Sequence, residues 1–144
     1  MKKVLFLILL FVIKTTSAYT PKEFSLNTFN SNESVTLKSL KGKKTLINFW
    51  ATWCTSCVQE IPELHSLKKS SKSSQYNFIA ISAGDSEKKV KKFIKRYKFN
   101  YKILMDKNSK VTKNWGIDSL PVTIVLGEDG SIIYSDTKPP QVLP

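Results

Sequence analysis

The chain has 144 residues, room for one domain, and its 23 Lys or Arg against 11 Asp or Glu make it strongly cationic. Arg96 is its only arginine, which argues against a nucleic-acid surface of interleaved arginines and aromatics. Its two cysteines and one histidine cannot supply the four ligands of a closed zinc site, so neither a metal nor a cofactor is expected. His65 lies about 12 Å along a helix from Cys57 and reads as a surface residue.

Lys2 and Lys3 precede an unbroken apolar run, Val4 to Ile13, and Thr16-Ser17-Ala18 supplies small residues for cleavage. That is the layout of a secretory signal peptide over residues 1–18. A ten-residue run rises about 15 Å, roughly half the bilayer's hydrocarbon core. Cleavage after Ala18 is the expectation and an uncleaved anchor the alternative; either places the domain outside the cytoplasm. Losing this segment removes three lysines and no acid, lowering the net charge of +12 by three. Lysines spread over the remainder read as a solvated surface that can steer toward anionic partners or lipid headgroups.

The domain is expected over residues 19–137, with a proline-rich tail at 138–144. Phe24-Ser25-Leu26 and Val35-Thr36-Leu37 read as short strands, and Leu40 to Lys43 as a turn. Asn32-Glu33-Ser34 fits a glycosylation triplet, a match common by chance. Thr45 to Trp50 is nearly all apolar, as for a strand covered on both faces. A helix is predicted from Cys54 or just beyond, burying Val58, Ile61 and Leu64, with a kink at Pro62. Phe78 to Ala83 is the next buried strand, and Asp85 or Ser86 caps a helix with Val90, Phe93, Ile94 and Tyr97 inward. Tyr101 to Met105 is a strand and Val111 to Trp115 a short helix; Val122 to Leu126 then turns at Glu128-Asp129-Gly130 into a closing hairpin. The alternation specifies an α/β fold with a mixed central sheet and helices on both faces.

Cys54 and Cys57 stand where a buried strand meets the start of a helix. Unpaired N–H groups there stabilise a thiolate, which marks Cys54 as the nucleophile. Cys57, nearly one turn on, lies on the same side and can resolve a mixed disulfide at Cys54. The structural alternative is a staple, but closing so short a loop is worth only about 2 kcal/mol by chain entropy. With Trp53 before it and an amphipathic helix after it, the pair reads as redox-active.

Asn48-Phe49-Trp50-Ala51-Thr52-Trp53-Cys54-Thr55-Ser56-Cys57 matches N-F-W-A-T-W-C-x-x-C almost letter for letter, and Glu60-Ile61-Pro62-Glu63-Leu64 continues the pattern. Trp115-Gly116-Ile117 and Leu120-Pro121-Val122-Thr123 follow downstream. On these residues the chain resembles the thioredoxin superfamily, and within it the extracytoplasmic TlpA/ResA branch that includes cytochrome c maturation thioredoxins. The resemblance implies a thioredoxin-like fold and a thiol–disulfide oxidoreductase with Cys54 attacking and Cys57 resolving. It implies Pro121 as a cis-proline facing the pair, with the Leu120 backbone presented to a substrate strand, and Glu60 as proton partner of the buried cysteine. Trp53 is expected at the docking surface, Trp50 in the core, and Trp115 in either place.

Two departures from the resemblance stand out. Asn48 replaces the buried aspartate of cytoplasmic thioredoxins and reads as an amide bonded to backbone, which moves any acid–base role to Glu60. Asp136 onward is too short and proline-rich for the usual C-terminal helix, so none is expected there. The implied activity is reduction of protein disulfides, such as apocytochrome c heme-site or copper-site cysteines, by a monomer in the periplasm or an equivalent compartment. Electrons would come from a membrane thiol donor of the DsbD/CcdA kind. A broad-substrate disulfide oxidase or isomerase, and a non-enzymatic metal or heme chaperone, are the alternatives.

Overall fold

A computed structural model describes residues 21–144, and the leader expected over residues 1–18 lies outside them. Strands β1 (Ser25–Asn27) and β2 (Ser34–Thr36) pair antiparallel in a ribbon of their own. The main sheet contains β3 (Lys44–Trp50), β4 (Tyr76–Ala83), β5 (Lys102–Asp106), β6 (Val122–Leu126) and β7 (Ile132–Asp136), in the order β5-β4-β3-β6-β7. β3, β4 and β5 run parallel, while β6 and β7 add antiparallel neighbours, so the sheet is mixed as expected.

Central β3 is buried from Thr45 to Trp50 because its alternate side chains enter different cores. Leu46 and Trp50 face α1 (Thr55–Gln59), α2 (Ile61–Lys69) and α3 (Glu87–Tyr97). Ile47 and Phe49 face Trp115 at the end of α4 (Lys110–Asn114), the Phe24 and Val35 side chains of the ribbon, and Leu40. Helices therefore lie on both faces, with only the five-residue α4 on the second.

The kink expected at Pro62 is a break at Glu60, which ends α1 and precedes α2 with φ −82° and ψ −13°. Pro62 falls in the first turn of α2, where a missing N–H breaks no helical bond. Ser86, not Asp85, caps α3, its hydroxyl accepting from Lys89 N–H. Among the described residues no helix follows β7. The chain instead folds back, burying Pro139, Pro140 and Leu143, and Leu143 joins the cluster of Leu67, Tyr76 and Val125. Lys72 Nζ donates to the Leu143 carbonyl at 3.2 Å. The tail thus covers part of the face that the sequence left without a helix.

Candidate active site

β3 delivers the chain to the turn Ala51-Thr52-Trp53, closed by Cys54 N–H donating to the Ala51 carbonyl at 3.2 Å. Cys54 is then the N-cap of α1, with extended backbone at φ −86° and ψ 105°. Cys54 and Cys57 are joined as a disulfide with their Cα atoms 5.3 Å apart. Cys57 N–H donates to Cys54 Sγ at 3.2 Å, and Ser56 Oγ lies 3.6 Å from the same sulfur. A thiolate at Cys54 therefore has a helix-start donor already aimed at it, which would stabilise its charge. Both cysteines are buried, Cys54 4% and Cys57 3% exposed. Trp53, between the turn and the pair, is 70% exposed and is the large apolar side chain presented beside the disulfide.

The turn is held from outside by Asp85, a residue that sequence reasoning treated only as a possible helix cap. Its buried carboxylate accepts from Thr52 N–H at 2.7 Å, Thr52 Oγ at 2.6 Å and Ser82 Oγ at 3.0 Å. These bonds tie the end of β4 to the turn two residues before Cys54. The available signal was an acid directly after an apolar run, beside Gly84 at φ +77°, but its partner Thr52 is 33 residues away in the chain.

Glu60 closes α1 with its side chain turned inward; it is 9% exposed, and its Oε2 is buried without a partner. Cys54, Cys57, Glu60, Ile61 and Leu64 form one buried stripe, while Thr55, Ser56 and Gln59 are exposed. Desolvation pushes the Glu60 carboxyl from its ordinary 4.5 up to about 7. The nearby Asn48 amide and Lys138 oppose that rise, and Glu63 adds to it. Asn48 is close enough to act on Glu60, yet its hydrogen bond runs to Thr123 Oγ at 3.1 Å. The backbone partner expected for Asn48 is thus a side chain: Asn48 and Thr123 are register partners across β3 and β6, so their side chains meet on one face.

The Leu120–Pro121 bond is cis. Phe49 pairs with Val122, so Pro121 stands beside the end of β3 from which the chain leaves toward Cys54. Leu120 is half-buried against both cores. Trp115 belongs to the core, its indole donating to the Lys22 carbonyl at 2.9 Å. His65, expected at the surface, is partly exposed, with its ring stacked on Phe99 at 6.1 Å between centroids. Desolvation, then Lys69 and Lys68, lower its pKa. Among the described residues no cluster of three His, Cys, Asp or Glu side chains could hold a metal ion.

A mixed five-stranded sheet, a disulfide-bonded C-x-x-C pair at a helix start and a cis-proline at the adjoining strand define a thioredoxin-like protein. The chain belongs to the Redoxin family, which it matches over residues 16–142. It is similar to the thiol-disulfide oxidoreductase ResA of Halalkalibacterium halodurans, 37% identical over 105 residues that cover 73% of this chain and 60% of that protein. The thioredoxin-like protein YneN of Bacillus subtilis is 40% identical over 113 residues, covering 76% of this chain and 65% of that one. The chain thus spans about three fifths of the length of the curated relatives it matches. The crystal structure of StoA from Bacillus subtilis superposes with a TM-score of 0.68 at 26% identity, covering 82% of this chain and 89% of that one.

Proposed function

We propose that the chain is an extracytoplasmic thiol–disulfide oxidoreductase that reduces protein disulfides by dithiol exchange. The observation that carries this reading is the Cys54–Cys57 pair at the start of α1, with Cys57 N–H donating to Cys54 Sγ. In the reduced protein, the Cys54 thiolate attacks one sulfur of a substrate disulfide. A mixed disulfide forms and the other substrate sulfur leaves as thiolate. Cys57 then loses its proton to Glu60 and attacks Cys54 Sγ, expelling the second substrate sulfur. Two electrons pass to the substrate, and the protein is left with the Cys54–Cys57 disulfide. Trp53 and the Leu120–Pro121 backbone form the docking rim, with the substrate strand laid against Leu120.

The leader-like segment at residues 1–18 supports a location outside the cytoplasm. Substrates of the apocytochrome c heme-site or copper-site kind follow from the likeness to ResA-type proteins, as does reduction by a membrane thiol donor of the DsbD/CcdA kind. Thr55 and Ser56, between the cysteines, carry no charge that would further stabilise a thiolate, which favours a reductant over an oxidase.

The decisive experiment pairs two variants with a potential. Cys54→Ser abolishes exchange, whereas Cys57→Ser accumulates a mixed disulfide through Cys54. Alkylation at graded pH that modifies Cys57 first would reverse the assignment of roles. A reduction potential as high as that of a strong oxidant, about −120 mV, would overturn the direction.

A further inference from the structure

We propose that the solvent face of α3 is a docking surface for anionic lipid headgroups. Val90 and Phe93 fill the inward side of this helix, with Ile94 and Tyr97 half-buried beside them. Lys88, Lys89, Lys91, Lys92, Lys95 and Arg96 are all exposed. At about 100° per residue, Lys88, Lys92 and Lys95 lie opposite Val90, and the other three flank them. Lys98, in the left-handed conformation that ends the helix, extends the same charge. The only acid on α3 is Glu87, and it is paired with Lys107 at 3.0 Å. Among the described residues no ion pair engages any of the six cations.

Four features favour a lipid surface over other anions. Protein interfaces are depleted of lysine at their cores and built on aromatic anchors, and this face offers lysine without an exposed aromatic anchor. Nucleic-acid surfaces interleave arginine with aromatics, and Arg96 is the only arginine in the chain. A single-sign lysine surface matches the negative potential of an anionic leaflet. The chain also carries the apolar run Val4 to Ile13, which brings it to a membrane during export or as an anchor. The apolar side of α3 is already spent on the core, so the helix lies on headgroups without inserting. The contact is therefore electrostatic and sensitive to salt.

The placement of α3 gives the contact a consequence. The helix starts two residues after Asp85, whose carboxylate holds Thr52, two residues before Cys54. Docking through α3 therefore brings the disulfide edge close to the bilayer. The proposal stands apart from the redox assignment and survives if that assignment fails.

The test measures binding of the full chain to phosphatidylcholine vesicles with and without phosphatidylglycerol, at low and high salt. Any contribution of the apolar run appears with both lipids, so the phosphatidylglycerol-dependent part is read separately. Each cation near an anionic surface contributes about fivefold. The variant Lys88→Gln/Lys92→Gln/Lys95→Gln should lose about a hundredfold of that part. The matched control Lys38→Gln/Lys41→Gln/Lys43→Gln, also at exposed positions, should leave it nearly unchanged. Unchanged thermal melting shows that both variants are folded. Binding that ignores phosphatidylglycerol overturns the proposal, as does equal loss in the two variants, which would make net charge alone responsible. Capture of polyglutamate through α3 without binding to phosphatidylglycerol would assign the face to an acidic protein and also overturn it.

Discussion

Glu60→Gln probes burial and catalysis at one atom. The wild-type carboxyl has its pKa pushed from 4.5 to about 7, mainly by desolvation. The folded state thus holds this proton more tightly than the unfolded chain does. Below about pH 4.5 both states are protonated and Glu60 makes no pH-dependent contribution. As pH rises from there to about 7, the unfolded chain releases the proton first, so stability falls; above about 7 the loss is complete. A shift of this size corresponds to about 3 kcal/mol in full, and to less once solvent screening of the carboxylate is counted. Glutamine does not titrate, so the variant should gain up to about 3 kcal/mol on wild type between pH 4 and pH 8, read by urea unfolding at each pH.

The same substitution tests the proton acceptor. With a pKa near 7, the ionised fraction of Glu60 rises about tenfold between pH 6 and pH 8, and resolution of a mixed disulfide should follow it. Glu60→Gln should lose that dependence and slow resolution about 10²-fold, the low end for removing a general base. Alkylation of Cys54 should be largely unaffected, because its helix-start donor does not involve Glu60. Stopped-flow resolution of a preformed mixed disulfide measures the step directly. Equal rates for wild type and variant from pH 6 to 8 would remove Glu60 from the mechanism. If the stability gap also failed to open, the reasoning from burial would fail with it.

Asp85→Ala should cost about 3 kcal/mol, since it strands the Thr52 N–H, Thr52 hydroxyl and Ser82 hydroxyl at about 1 kcal/mol each. It should also change the pH profile of Cys54 alkylation, whereas Thr52→Ser, which keeps both donors, should preserve that profile. Leu143→Ala should lower stability by about 2 kcal/mol, the low end for a buried leucine because an end segment can collapse into the space, with the denaturant midpoint falling and the slope unchanged.

Much of this fold was legible because its central strands are covered on both sides. β3, β4 and β6 read as mostly apolar runs, and the first β6 residue, Val122, was placed by Pro121 in front of it. The cysteine pair and the inward placement of Glu60 were legible for a local reason, since residues three apart share a helical face. The contacts that escaped are long-range and polar. Asn48 and Thr123 are 75 residues apart in the chain, and Thr52 and Asp85 are 33 apart. Periodicity shows which way a side chain points, but not which partner from another strand meets it. The tail escaped for a different reason. Three prolines excluded a helix, yet nothing local showed that Leu143 would reach the cluster of Leu67, Tyr76 and Val125.

The buried polar residues support placing the active site at the end of β3. Most of the core is apolar, and the exceptions are Thr45, Asn48, Glu60, Ser82, Asp85, Asp106, Thr112 and Thr123. Asp106 and Thr112 act locally, because Asp106 accepts from the N–H groups of Val111 and Thr112 and from the Thr112 hydroxyl, fixing the start of α4. Ser82 and Asp85 hold the turn before Cys54, while Asn48 and Thr123 are paired on the sheet face that Glu60 approaches. Burying polar groups costs stability unless each is hydrogen-bonded, and local rules of that kind are broken mainly where function requires it. Of these groups, Glu60 alone has a buried carboxylate oxygen without a partner and a pKa lifted to about 7. A carboxylate kept only for packing would be more stable as glutamine above that pH. The proposed role would account for this exception, since a carboxylate three residues after Cys57 could take the proton of the resolving thiol.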